Sequence, residues 1–288
     1  MKNNIPSVLV TGANGQLGSE LKLVAAHYPS CHFIFVTRKE LAIDDFDSVQ
    51  KFFAEQDIAY CINCAAYTAV DKAESNANNA FLINAEAVGN LAKVCKEQHT
   101  QFIHISTDYV FDGNANQPYK ETDATNPLGV YGASKRKGEE LALANDPSAI
   151  IIRTSWLYSS FGNNFVKTML RLMKERESLN VVNDQFGCPT YAADLADAIM
   201  KIISSGMKKP GIYHYSNAGI TTWYGFAVAI KELSNSNCAV NPVTTAEYPT
   251  PTKRPGYTAM DTSNIHETFS ISIPPWKESL KNCIGLLK

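Results

Sequence analysis

A doubly wound α/β fold, a parallel sheet flanked by helices with a smaller α/β lobe beside it, is predicted by three observations. A short apolar strand, Val8-Leu9-Val10, runs into a turn with glycine at positions 12, 15 and 18 and then into a helical pattern. Apolar strand segments alternate with amphipathic helical ones over residues 1–155, the pattern of a parallel sheet crossed by helices. Tyr131 and Lys135 stand four apart in a helical segment after the fourth strand, so both side chains fall on one helix face.

Composition narrows the class. The chain has 288 residues, 45% of them hydrophobic and 19% charged, with a net charge of −2. That suits one large or two small globular units and gives no basic field for nucleic acid or a membrane surface. No run of about 18 apolar residues is present, and the opening Met1–Pro6 has no leader pattern. Seven scattered cysteines suit free thiols in a reducing cytoplasm. Cys61 and Cys64 form a C-x-x-C, but no second Cys or His pair stands near enough in sequence to complete a zinc site.

The first strand leads into Thr11-Gly12-Ala13-Asn14-Gly15-Gln16-Leu17-Gly18, and a helix is expected from Ser19 to about His27. Glycines between a strand and a helix allow a tight turn and let backbone N–H groups approach a pyrophosphate. This Rossmann-type unit predicts nucleotide binding. The second strand, His32–Val36, is followed by Thr37-Arg38-Lys39. An acid there would hold ribose hydroxyls; a base pairs with a 2′-phosphate. Arg38 is therefore the expected reader of NADPH, with NADH possible and Glu40 a competing signal.

A helix is expected over residues 47–56 and a third strand over 59–63, ending in the small residues Cys64-Ala65-Ala66 followed by Tyr67-Thr68. Small side chains at a strand's C-terminal end let a cofactor lie across the sheet edge. Val70-Asp71-Lys72-Ala73-Glu74 opens what reads as one long helix, with Ala85, Val88, Leu91, Ala92 and Cys95 inward. Asn84 within it suits a structural role. The fourth strand, Gln101–Thr107, carries His104 among apolar neighbours, a core histidine by its setting. It ends in Ser106-Thr107-Asp108, where a hydroxyl on a rigid strand end can bond a substrate carbonyl. Residues 109–127 read as a loop over the site, and Pro127 as the start of the helix bearing Tyr131 and Lys135. An ammonium beside the phenol is expected to lower its pKa and make Tyr131 a general acid.

Gly12-x-x-Gly15-x-x-Gly18, Ser106-Thr107-Asp108 and Tyr131-x-x-x-Lys135, in this order, resemble the extended short-chain dehydrogenase/reductase family. Longer stretches resemble its dTDP-4-dehydrorhamnose reductase branch: residues 65–74, 106–113, Arg153-Thr154-Ser155-Trp156, Gly162-Asn163-Asn164-Phe165 and Asp184-Gln185-Phe186-Gly187-x-Pro189-Thr190. The resemblance runs from the first strand to Lys253-Arg254-Pro255. It implies NADPH-dependent reduction of the C4 ketone of a dTDP-activated 6-deoxy sugar for a cell-surface polysaccharide. It also implies roles. Tyr131 is the proton donor, Lys135 binds the nicotinamide ribose, and Thr107 orients the carbonyl. Gly12, Gly15, Gln16, Leu17, Gly18, Ile43, Ala65, Ala66, Tyr67, Thr68 and Ser106 line the dinucleotide. Val70, Asp71, Asp108, Trp156, Asn164 and Arg254 face the nucleotide sugar. Three departures stand out: Ala42-Ile43 replaces Asp-Ile against the adenine, with Asp44 or Asp45 as substitutes. Some relatives dimerise through magnesium at glutamates; Glu20 matches one, but Ala193 stands at another, with Asp194 adjacent. Gly256-Tyr257-Thr258-Ala259-Met260 replaces a serine-containing stretch.

In the second half, strands are expected at 149–154, 179–182 and 211–215, and helices at 164–175, 192–204, from Thr222 or Trp223, and at 276–287. Trp156, at a strand end beside the expected site, suits a platform for a sugar ring. Residues 235–255, with Pro242, Pro249, Pro251 and Pro255, read as loop. Arg254 within them, beside Lys253, suits a diphosphate clamp. The expected division is a nucleotide-binding unit over 1–155, with parts of 180–220 returning to it, and a discontinuous substrate lobe over 156–288. A monomer or homodimer is expected. Two alternatives stay open: a nucleotide-sugar epimerase or dehydratase of the same architecture, and a non-catalytic subunit resembling the regulatory subunit of methionine adenosyltransferase.

Overall fold

The computed structural model describes residues 5–287; the first four residues, part of the segment read above as lacking a leader, and residue 288 lie outside the described residues. The chain begins β1 (Ser7–Thr11), α1 (Gln16–Ala25), β2 (His32–Val36), α2 (Phe46–Ala54), β3 (Tyr60–Asn63). Helices α3 (Val70–Ala73), α4 (Ala77–Phe81) and α5 (Ala87–Glu97) precede β4 (Gln101–Thr107), α6 (Val130–Asn145) and β5 (Ile150–Thr154). Then come β6 (Leu157–Tyr158), α7 (Phe165–Glu175), β7 (Ser178–Val182), β8 (Phe186–Gly187), β9 (Thr190–Tyr191) and α8 (Ala192–Ser205). The chain closes with β10 (Gly211–His214), β11 (Thr221–Thr222), α9 (Trp223–Ser234), β12 (Ala239–Val243), α10 (Ser263–Phe269) and α11 (Trp276–Gly285).

Six strands form one parallel sheet in the order β10-β5-β4-β3-β1-β2. The order reverses between β1 and β3, the crevice where open α/β sheets bind ligands. Side-chain alternation feeds two cores. Val8, Val10, Ile62, Ile103 and Ile152 pack with Leu21 of α1 and Ile199 of α8. Leu9, Cys61, Phe102 and Ile151 face the other way onto Phe53 of α2 and Leu91 of α5. Burial on both faces explains why these strands read as continuous apolar runs. A third core joins α7, α9 and α11 around Phe226, Met169 and Leu280.

Four expectations need correction. Helix α1 starts at Gln16, inside the glycine motif rather than after it. The long helix expected after Val70 is broken into α3, α4 and α5, with a π-helical turn at Leu82–Glu86 between the last two. That wide turn pushes the Asn84 carbonyl against α6, where a Cβ at Gly138 would lie 2.0 Å from the oxygen. Residues 109–127 do not lie over the site as a lid. Phe111 and Tyr119 pack on Met260 in a separate small core, and of this stretch only Tyr109 reaches the cavity described below. The stretch 235–255 contains strand β12, which pairs with β7; its Pro242 is tolerated because β12 is an edge strand with one neighbour.

Candidate active site

A cavity of about 930 Å³ opens at the C-terminal ends of β1, β3, β4 and β5. Its floor is the glycine turn. Gly12 has φ +64°, and a Cβ there would meet Ala65 N at 2.7 Å; one on Gly18 would meet Gly12 O at 2.6 Å. Only glycine lets β1, the turn and β3 close up so tightly. Gly15 caps α1 without a side-chain hydrogen bond, so the first N–H groups of α1 stay free, as an anion requires. These features fit a dinucleotide pyrophosphate.

Of the expected cofactor residues, Gly12, Gly15, Gln16, Leu17, Gly18, Arg38, Ile43, Ala65, Ala66, Thr68, Ser106, Tyr131 and Lys135 all line this cavity. Tyr67 does not; its backbone is pinned from outside by Asn84, whose Oδ1 accepts from Tyr67 N at 2.8 Å and whose amide donates to Tyr67 O at 3.0 Å. Asn84 thus has the structural role expected of it, since its amide also donates to Ser134 Oγ on α6. The Ser106 hydroxyl is turned away from the cavity, donating to Glu139 Oε1 at 2.5 Å. Glu139 is itself paired with Arg153, both fully buried. Arg38 is exposed and bonds Asp44 Oδ2 at 2.7 Å. Asp45 caps α2, while Asp44 keeps its Oδ1 without a partner. Glu40 does not compete with Arg38; its carboxylate closes the turn on Thr37 N and Oγ1.

Thr107, Tyr131 and Lys135 all line the cavity, with a hydrogen bond between Thr107 and Tyr131. Burial raises the Tyr131 phenol above its ordinary value; a Thr107 hydrogen bond opposes this, and Asp108 and Tyr109 add to it. The expected lowering by Lys135 is not found. The Lys135 Nζ lies 2.7 Å from the Ile105 carbonyl oxygen and 3.3 Å from His104 Nε2, turned toward β4. Burial lowers Lys135 to about 8, with Glu139 and Cys64 opposing. Asp108 is buried, bonds Thr107 through Oδ1 and leaves Oδ2 without a partner. Burial pushes its carboxyl up to about 6, against hydrogen bonds from Thr258 and Thr107.

Of the expected substrate residues, Val70, Thr107, Asp108 and Trp156 line the cavity and Asp71, Asn164 and Arg254 do not. Asp71 takes Arg254 Nη2 on both oxygens at 2.8 and 2.9 Å. Arg254 lies over the Tyr109 ring, 5.8 Å from its centre, with a buried Nη1 left unbonded. Asn164 caps α7 and donates to Gln16 Oε1 at 2.9 Å, tying the second lobe to the glycine turn. Trp156 has φ +47°, rare for a bulky residue. Its indole stacks on Trp223 with centroids 3.6 Å apart and planes 10° apart. Trp223, Tyr109 and Asn163 line the cavity too and were missed. For Trp223 the only signal is a helix start after the Thr222 cap, which says nothing about where the indole lies.

The family profile described as the RmlD substrate binding domain matches residues 6–288. A dTDP-4-dehydrorhamnose reductase of Aggregatibacter actinomycetemcomitans is 42% identical over 286 residues, 96% of this chain and 97% of that protein. The chain belongs to the dTDP-4-dehydrorhamnose reductase family. The spore coat polysaccharide biosynthesis protein SpsK of Bacillus subtilis is 45% identical over 276 residues, 95% of each chain. A crystal structure of the family from Bacillus anthracis, in complex with NADP, superposes with TM-score 0.93 at 39% identity, covering 97% of this chain and 98% of that one. The fold expected of the family is therefore present. Of the residues weighed above for a magnesium site, Glu20 is buried and accepts from Ser159, and Asp194 is bonded to Asn217 and Ser279. Among the described residues no helix is long and apolar enough to cross a membrane.

Proposed function

We propose that this protein reduces the C4 ketone of dTDP-4-dehydro-L-rhamnose to dTDP-L-rhamnose with NADPH, the last step of making an activated sugar for surface polysaccharide. One observation supports the chemistry: a threonine, a tyrosine and a lysine line one cavity at the sheet edge beside an uncapped helix N-terminus. NADPH bound along the glycine turn supplies the hydride. Thr107 bonds the ketone oxygen and fixes its direction. Tyr131, held fully protonated by its burial, gives its proton to the alkoxide formed there. Lys135, when charged, supplies a positive charge for the phenolate left behind and takes the nicotinamide ribose. Trp156 carries the sugar ring and Asp108 takes a sugar hydroxyl, while Arg254, paired with Asp71 outside the cavity lining, is assigned the diphosphate.

The same reading divides the chain into a nucleotide-binding unit over 1–155, joined by the returning strand β10, and a substrate lobe drawn from separated stretches of 156–288. It places the protein in the cytoplasm as a monomer or homodimer, with magnesium unassigned. Mixing the protein with the keto-sugar and NADPH should consume the two in equal amounts, read as loss of reduced-nicotinamide absorbance. An epimerase or dehydratase would return its cofactor unchanged, and a regulatory subunit would turn over neither; either result overturns the proposal.

A further inference from the structure

Beneath the cavity a chain of buried polar groups crosses three strands. Thr11 ends β1, Asn63 ends β3, His104 sits within β4, and Lys135 projects from α6. Thr11 Oγ1 donates to Asn63 Oδ1 at 2.6 Å, and Ala65 N donates to the same oxygen at 3.2 Å. The amide oxygen is thus held away from His104, and the NH₂ faces His104 Nδ1 at 3.1 Å. His104 is fully buried, and burial together with Lys135 holds it well below the usual histidine range. A neutral imidazole has one N–H and one lone pair. Nδ1 must accept from Asn63, so the proton is on Nε2, directed at Lys135 Nζ at 3.3 Å.

An ammonium has no lone pair to receive it. The arrangement is complete only with Lys135 as a neutral amine, donating one hydrogen to Ile105 O at 2.7 Å. When Lys135 is charged the chain must turn over. The Nε2 proton passes to Nζ, Nδ1 takes one from water, and the Asn63 amide rotates to present its oxygen to Nδ1. One proton is gained in total, and Ala65 N loses its amide oxygen. We propose that His104 is a positioning residue that couples the charge on Lys135, through the Asn63 amide, to the backbone of Ala65 on the cavity floor. The other groups facing Lys135 are Glu139 on its own helix, already paired with Arg153, and Cys64 after β3. Neither can follow its proton in this way: one is committed to Arg153, and burial pushes the Cys64 thiol up and keeps it neutral. Burial brings Lys135 to about 8, so the changeover falls near working pH. The proposal deepens the reading of Lys135 above, but its first test needs no turnover.

The full chain, labelled with ¹⁵N-histidine, is followed by long-range ¹H–¹⁵N NMR from about pH 6.5 to about pH 9.5. His104 is assigned by its absence in His104→Gln or His104→Asn, whichever folds. The expected result is a neutral ring throughout that changes from the Nδ1–H to the Nε2–H form as pH rises, and that stays Nε2–H at all pH in Lys135→Met. One unchanging tautomer in the wild type, or the same change in Lys135→Met, overturns the proposal. As a second readout, His104→Gln should move the alkaline inflection of kcat by about half a pH unit or more, since the inflection reports the group coupled to Lys135. A histidine serving packing alone would lower Tm and leave the inflection in place, which also overturns it.

Discussion

Tyr131 carries its proton because burial, not a neighbouring cation, dominates its surroundings. Tyr131→Phe should therefore lower kcat by about 10²–10⁴-fold, with NADPH affinity, measured by fluorescence titration, unchanged. Asp108 behaves oppositely to a salt-bridged acid. Its carboxyl is raised from 3.8 to about 6 in the fold, so the folded state takes the proton more readily than the unfolded one. That contribution to stability is present at low pH and is lost as pH rises from 3.8 to about 6, a loss of up to about 3 kcal/mol at neutrality. Asp108→Asn should raise Tm at pH 7 while raising the sugar KM. In the wild type the sugar KM should rise as pH falls through about 6, where the hydroxyl acceptor is protonated; a flat profile would remove Asp108 from the sugar's reach. Most of these residues were legible because their chemistry is written in side-chain type and spacing: a glycine at a sharp turn, a hydroxyl at a strand end, a Tyr and Lys one turn apart. Charge states were not. The direction of the Lys135 side chain depends on the Ile105 carbonyl and His104 ring that it meets only in the fold.

At the scale of elements, α6 is held by what it leans on. Its N-terminus receives Glu74, whose carboxylate accepts from Val130 N at 2.9 Å, and its middle rests on the π-helical turn at Leu82–Glu86. Gly138→Ala would drive a methyl group into the Asn84 carbonyl, a strain of about 1–3 kcal/mol. The helix must then shift, and thermal melting and kcat should fall together while Arg38 and its neighbours keep their affinity for the adenosine half of the cofactor. The stacked pair at the ends of β5 and α9 gives a separate test. Trp223→Ala should raise the sugar KM by about two- to tenfold, as loss of an aromatic stack implies. The KM for NADPH should hold, and Trp223→Phe should recover most of the loss. Strand and helix identities were legible where apolar period and turn residues agree, as in β1 through β5. The break between α4 and α5 was not, because the glycine that leaves room for it is more than 50 positions away. Nor was β12, whose Pro242 argues against a strand until β7 stands beside it.

Over the whole molecule the chain leaves the main sheet after β5 and returns to it at β10. Between them it builds α7, β7 and the short strands β6 and β8; Trp156, just before β6, lines the cavity, and Gly187 of β8 leaves room for its indole. Separate expression of residues 1–155 should accordingly give an aggregating fragment, detected by light scattering, because the edge of β5 that pairs with Gly211–His214 is left open. The same crossing has a meaning during synthesis. As the chain emerges from the ribosome, five of the six strands can assemble while the sixth is still unmade, and β5 faces water or any passing strand in that interval. A stop codon after Ser205 would freeze that stage, whereas one after Asn217 would let the sheet close. The step between those two lengths, followed by chaperone capture of the nascent chain, would show a vulnerable window of translation set by topology alone.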